Sequence, residues 1–207
     1  MLKAAGKTDI GNVREINQDD FNCGALGDAA VFAVVCDGMG GEKGGHIASR
    51  TACDIVSDSV MAAYGSGFGD NSIRAILQTA VTAANVSVFD RSQRDPTLRG
   101  MGTTIVAAIV CDGIAHIIHA GDSRAYRVTE KEIIQATKDH SVVQLLVDKG
   151  EITADEAGAD AVEGRAAGRP RLAEDLDALA QRAESVARAG ESVAVGAPFV
   201  LVPARAD

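Results

Sequence analysis

The 207-residue sequence predicts an α+β domain, and three observations predict it. Apolar runs rich in β-branched residues occur at 31–36, 103–111 and 114–120, which is strand patterning. Between the first two runs, apolar residues recur at helical spacing from Ile47 to Met61 and from Ile73 to Val88. The last two runs meet at Asp112-Gly113, a hairpin turn pair, so the strands form hairpins rather than alternating βαβ units.

Taken in order, Val31 to Cys36 (VFAVVC) is apolar throughout and reads as a buried strand that delivers the glycine-dense loop Asp37-Gly38-Met39-Gly40-Gly41. After Gly45, positions Ile47, Ala48, Thr51, Ala52, Ile55, Val56, Val60 and Met61 define a helix that ends by Gly65. A second helix runs through Ile73, Ile76, Leu77, Ala80, Val81, Ala84 and Val88, with Asp70 or Asn71 as its cap. Thr103 to Cys111 and Ile114 to Ala120 are the two hairpin strands. Gly121-Asp122-Ser123 interrupts before a further strand, Arg124 to Val128. Ser141 caps a short helix over Val142 to Lys149 that Gly150 closes, and Thr153-Ala154-Asp155-Glu156 reads as a capping box opening another.

At 46% apolar, the chain is long enough for one sizeable core and too short for two comfortable domains. Aromatics make up only 3%, so that core is aliphatic. A formal charge of -9 without any basic block argues against nucleic-acid binding, which needs clustered Lys and Arg. Cys23, Cys36, Cys53 and Cys111 show no metal-ligand or disulfide-framework spacing and read as reduced, small hydrophobes. No stretch is long and apolar enough to span a membrane, and the start of the chain lacks a signal-peptide core, so a cytoplasmic protein with no membrane partner is expected.

Three constellations carry chemistry: residues 8–21 (TDIGNVREINQDDF), Asp37-Gly38-Met39-Gly40-Gly41 with Gly45 and Ala48-Ser49, and Gly121-Asp122-Ser123-Arg124-Ala125. An Asp at the end of a buried strand, followed by glycines, holds a carboxylate rigidly where backbone oxygens can also face a cation. That suits a hard, oxygen-preferring ion such as Mg2+ or Mn2+. Arg14 is the basic side chain nearest in sequence to such an acid, and its planar fork suits a phosphate. Plainer readings stay open at this level: Asp-Gly is an ordinary turn dipeptide, and a lone Arg is more often a solvated surface residue.

The three constellations, in this order, resemble motifs of the bacterial metal-dependent serine/threonine protein phosphatases of type 2C (PPM). Two further stretches strengthen the likeness: Gly100-Met101-Gly102-Thr103-Thr104, similar to the family's glycine-threonine strand, and residues 137–153, similar to the start of its flap region. The resemblance covers residues 6–157. It implies a four-layer α-β-β-α sandwich of antiparallel sheets flanked by helices. It also implies two Mg2+ or Mn2+ ions, with a third, weaker site. By position, Asp37 would bridge two metals, the Gly38 carbonyl would contact one, Asp19 would hold metal-bound water, Asp122 would serve the third metal, and Arg14 would grip the substrate phosphate. Gln18 stands where many relatives have a glutamate, and Met39 where some have a histidine. The implied reaction is direct attack of metal-activated water on phosphoserine or phosphothreonine in proteins, the expected partners being substrates of a Ser/Thr kinase.

The likeness stops near residue 157. Residues 158–207 form an Ala- and Arg-rich tail without Lys, Ile, Asn, Thr, Tyr, Met, Cys or His, in which only 172–189 keeps helical spacing. Two late aspartates that the family uses as ligands, one before Asp-Gly in an apolar strand and one in an Asp-Asn motif, have no counterpart there. The break in composition suggests a frame-shifted or replaced reading of a GC-rich gene, which the nucleotide sequence read in all frames would test. The expected architecture is therefore incomplete at the C-terminus, with exposed strand edges. Two other functions remain open on sequence alone: a phosphoprotein-binding or regulatory module with an impaired site, and a truncated product with no function.

Overall fold

The computed structural model describes residues 2–12, 14–129, 131–153 and 199–202. Strand β1 (Asp19–Leu26) turns through residues 27–29 onto β2 (Ala30–Met39), and the two pair antiparallel from Leu26↔Ala30 out to Asp19↔Asp37. β1 lacks the strong apolar alternation of a half-buried strand, and this is why its sequence did not announce it. The expected loop at Asp37-Gly38-Met39 is instead the end of β2. Its backbone groups find ladder partners on both sides: the Gly38 N–H donates to the Gln18 carbonyl at 3.0 Å, and Thr104 N–H donates to the Asp37 carbonyl at 2.8 Å. A short strand, β3 (Gly102–Thr103), lies opposite Gly38 and Met39.

The chain then forms α1 (Gly41–Ala63) and α2 (Asp70–Arg94). The first begins four residues before the position expected from Gly45. Gly40, with φ of +123°, makes the turn from strand to helix, and a Cβ there would lie 2.6 Å from Met101 Cα. The second is capped by Gly69 rather than by Asp70 or Asn71. Asp70 falls inside the first turn, where a carboxylate favours the positive end of the helix. After a single 3-10 turn (Pro96–Leu98) and β3 come the predicted hairpin strands β4 (Ile105–Cys111) and β5 (Ile114–Ala120). Asp112 (φ +50°) and Gly113 (φ +76°) turn between them in the left-handed region, as a tight hairpin requires. The first sheet is ordered β1-β2-β4-β5.

Alternate residues of β2 and β4 face the helices. Phe32, Val34 and Cys36 with Ala107 and Ile109 meet Ala52 and Val56 of α1 and Ile73, Leu77 and Ala80 of α2 in one buried cluster. The alanines on the helix faces let both helices lie close to the sheet. Period-two alternation sends Val31, Val106 and Ala108 to the opposite face, where they are also buried. On that side stands a second sheet, β7-β6-β8, built from β6 (Arg124–Val128), β7 (Ile133–Gln135) and β8 (Phe199–Val202), with β8 approaching β2. Helix α3 (Val142–Asp148) has the expected Ser141 cap, whose hydroxyl accepts from Gln144 N–H at 3.1 Å.

The architecture is thus α+β, with antiparallel sheets and a helical layer on one outer face. From the compositionally distinct tail, Phe199–Val202 supplies an antiparallel partner to β6, with Arg124 opposite Val202. The expected helix over 172–189 and most of the capping box after Thr153 lie outside the described residues. No helix among the described residues is long and apolar enough to cross a membrane.

Candidate metal centre

The register of the first hairpin places Asp19 directly opposite Asp37. Cross-strand partners share a face of the sheet, so the two carboxylates project side by side, away from the helices. They share a side-chain hydrogen bond. Asp37 is only 6% exposed. Burial, followed by the negative charge of Asp19 and the bond to it, pushes the Asp37 pKa from 3.8 up to about 7. Arg14 pulls it down and Asp122 adds to the push. The Asp19 carboxyl is likewise raised by burial, against the lowering effects of its bond to Asp37 and of Arg14. Two carboxyls in this arrangement titrate as a pair that shares a proton.

Gly38 brings the strand end and α1 together. A Cβ at Gly38 would stand 2.0 Å from the Gly45 carbonyl oxygen and 2.8 Å from that of Gln18, both backbone atoms. The first turn of α1 therefore lies directly on the backbone beside Asp37. Gly38→Ala is expected to destabilise the protein by about 3 kcal/mol, the upper range of an overpacking change. A urea midpoint unchanged from wild type would contradict this packing.

Asp122 comes from the other sheet, in the exposed turn leading into β6. Three contacts hold that turn. His140 N–H donates to the Gly121 carbonyl at 2.9 Å, Ser123 Oγ meets Thr104 Oγ1 at 2.5 Å, and Arg124 grips both Asp139 oxygens at 2.8 and 2.6 Å. The His140 ring stacks on His119, with centroids 4.4 Å apart. Arg14 lies exposed at the edge of the group, its Nη1 donating to Gln18 Oε1 at 3.3 Å.

The fold thus brings Arg14, Asp19, Asp37, Gly38 and Asp122 into one neighbourhood from both sheets. Among the described residues no three His, Cys, Asp or Glu side chains converge closely enough to hold an ion by themselves. The Asp19-Asp37 pair nevertheless fits a divalent cation. Two adjacent carboxylates that otherwise need a shared proton are relieved by a positive ion, and the donors are all oxygen, the ligand set of Mg2+ and Mn2+. The pair supplies part of a coordination shell whose remainder falls to water, substrate or further residues. Sequence reasoning missed the Thr104-Ser123 and Arg124-Asp139 contacts. Their partners are 19 and 15 residues apart, and no local spacing signals them.

Residues 11–153 match the protein phosphatase 2C family. The chain belongs to that family. Among curated relatives it is 34% identical over 157 residues to the serine/threonine protein phosphatase PstP of Mycobacterium tuberculosis, a match covering 76% of this chain and 29% of that protein. Among solved structures, serine/threonine phosphatase Stp1 from Staphylococcus aureus is 33% identical with a TM-score of 0.66, covering 72% of this chain and 57% of that one. The PstP catalytic domain in complex with two manganese ions is 35% identical with a TM-score of 0.61, covering 71% and 60%. The chain therefore spans less than two thirds of each of these relatives.

Proposed function

We propose that this chain is a metal-dependent phosphatase that hydrolyses phosphoserine and phosphothreonine in proteins. The observation that carries the reading is the carboxyl pair Asp19-Asp37, with Asp37 buried and Asp19 half-buried at the end of a hairpin and faced by Asp122 and Arg14, in a chain of the 2C family. Asp37 and the Gly38 carbonyl would hold Mg2+ or Mn2+ directly, Asp19 would hold it through water, and Asp122 would serve a third, weaker site. The bound ions would supply a water acidic enough to attack at neutral pH and would neutralise developing charge on phosphorus.

The residues of the chain do the rest. Asp37, with its backbone N–H and C=O both engaged by Thr104, holds its carboxylate in a fixed place. Arg14 would bind and orient the phosphoryl oxygens through its paired N–H groups, since it is exposed and its charge already faces the carboxylates. The enzyme would act in the cytoplasm on proteins phosphorylated by a Ser/Thr kinase.

The test is hydrolysis of a phosphothreonine peptide by the purified chain, with and without Mn2+ and with a chelator. Turnover that depends on Mn2+ supports the enzyme. Phosphopeptide binding without turnover would instead make the chain a phosphoprotein-binding module. Arg14→Ala is expected to raise KM for an aryl phosphate by about 10- to 100-fold, the value of a charged hydrogen bond, and to leave the melting temperature unchanged. Arg14→Lys should recover only part of it, because a point charge cannot make the paired contact. An unchanged KM in the alanine variant would remove Arg14 from the phosphate site.

A further inference from the structure

Thr104 uses every arm it has. Its N–H donates to the Asp37 carbonyl at 2.8 Å, and its Oγ1 accepts the Asp37 N–H at 3.1 Å. Its methyl packs against Gly121, where an added Cβ would come within 2.7 Å of Thr104 Cγ2. Its hydroxyl lies 2.5 Å from that of Ser123. Both hydroxyls are buried, Thr104 at 3% and Ser123 at 1% exposure, between the first sheet and the turn that opens the second. Ser123 is the residue after Asp122, and Thr104 is doubly bonded to the backbone of Asp37. The hydroxyl pair thus forms the short polar path between the two carboxylate-bearing segments.

We infer that Thr104 and Ser123 are positioning residues that hold the Asp122 turn of one sheet at a fixed offset from Asp37 of the other, so that both carboxylates face a shared divalent-cation cluster. The inference rests on the phosphatase reading. Buried hydroxyls could simply have been replaced by an apolar contact between the sheets, which would stabilise as well without fixing direction. A hydrogen bond fixes both distance and angle, which is what a site built from two segments needs. Gly121, at φ of +101° and without a side chain, is what lets the turn approach Thr104 at all.

The experiment uses the full chain and three variants, Ser123→Ala, Thr104→Val and Thr104→Ser, each titrated with MnCl2 by calorimetry, by activity and by thermal melting. Thr104→Val keeps the shape and removes the hydroxyl, while Thr104→Ser keeps the hydroxyl and removes the methyl. Ser123→Ala should raise the Mn2+ concentration giving half-maximal activity by about five- to tenfold, the size of one buried hydrogen bond, and Thr104→Val, which also takes the acceptor from the Asp37 N–H, by at least as much, each with a matching loss in the calorimetric affinity. Substrate KM at saturating Mn2+ should stay within twofold, and Thr104→Ser should keep near-native Mn2+ affinity. A lowered melting temperature with an unchanged Mn2+ midpoint in Ser123→Ala overturns the inference and leaves a merely structural contact. A wild-type chain that binds no Mn2+ overturns the phosphatase reading and the inference with it. Should Thr104→Val fail to fold, the comparison of Ser123→Ala with wild type decides alone.

Discussion

Asp37→Asn should abolish Mn2+-dependent hydrolysis, with a loss of about a thousandfold or more, several kcal/mol of metal-centred stabilisation. The same change should make the metal-free protein more stable at pH 8. These two effects of opposite sign come from one cause. The carboxyl is held beside Asp19, where burial and the neighbouring negative charge raise its pKa from 3.8 to about 7. At pH 8 it is ionised in both the folded and unfolded chains, but only the folded chain bears the repulsion and the lost hydration. Asparagine keeps the shape and removes the charge. Initial rates at saturating Mn2+ and urea midpoints with chelator check both halves. Activity within tenfold of wild type would remove Asp37 from the metal site.

Mn2+ affinity should fall about tenfold per pH unit as the pH drops below 7, because each bound ion must displace the proton shared by the carboxyl pair. For the metal-free chain the sign runs the other way. A carboxyl whose folded pKa is raised binds its proton more tightly when folded, so stability is greatest at and below pH 4 as far as this group is concerned. It declines as pH rises toward the folded value near 7. Metal and proton therefore compete for one place, and added Mn2+ should flatten the decline in stability between pH 4 and 7 wherever it displaces the proton. Calorimetry between pH 5.5 and 8.5 in buffers of different ionisation enthalpy reads both the affinity and the proton released. An affinity independent of pH would show that the pair carries no proton for the metal to displace.

Much of this centre was legible in the sequence, for identifiable reasons. Asp37 stands at the end of VFAVVC, a run whose burial is unmistakable, and the glycines after it mark close backbone approach. Gly121-Asp122-Ser123 interrupts a strand pattern visibly. The helices were legible from apolar spacing, although their starts were not. Gly40 and Gly69 cap through backbone geometry alone, whereas the sequence rule looks for a polar side chain. β1 was illegible because Asp19-Asp20-Phe21-Asn22 has the composition of a turn, and pairing with β2 rather than intrinsic preference makes it a strand. β7, with all three residues exposed, had no burial to leave a pattern. The hydroxyl contact of Thr104 with Ser123 depends on how two sheets meet, and a one-dimensional reading does not contain that.

The opposition of Asp19 and Asp37 has a consequence for which sequence changes the family position tolerates. Side chains along a strand alternate with period two, so deleting or inserting one residue within β1 or β2 carries one acid to the other face while leaving the rest of the chain readable. Away from the two acids, substitutions along this hairpin should be graded in effect, whereas insertions or deletions should be all-or-none. Between its two acids, the eight paired positions from Leu26 to Asp19 are a ruler whose length, more than its lettering, is what inheritance must preserve.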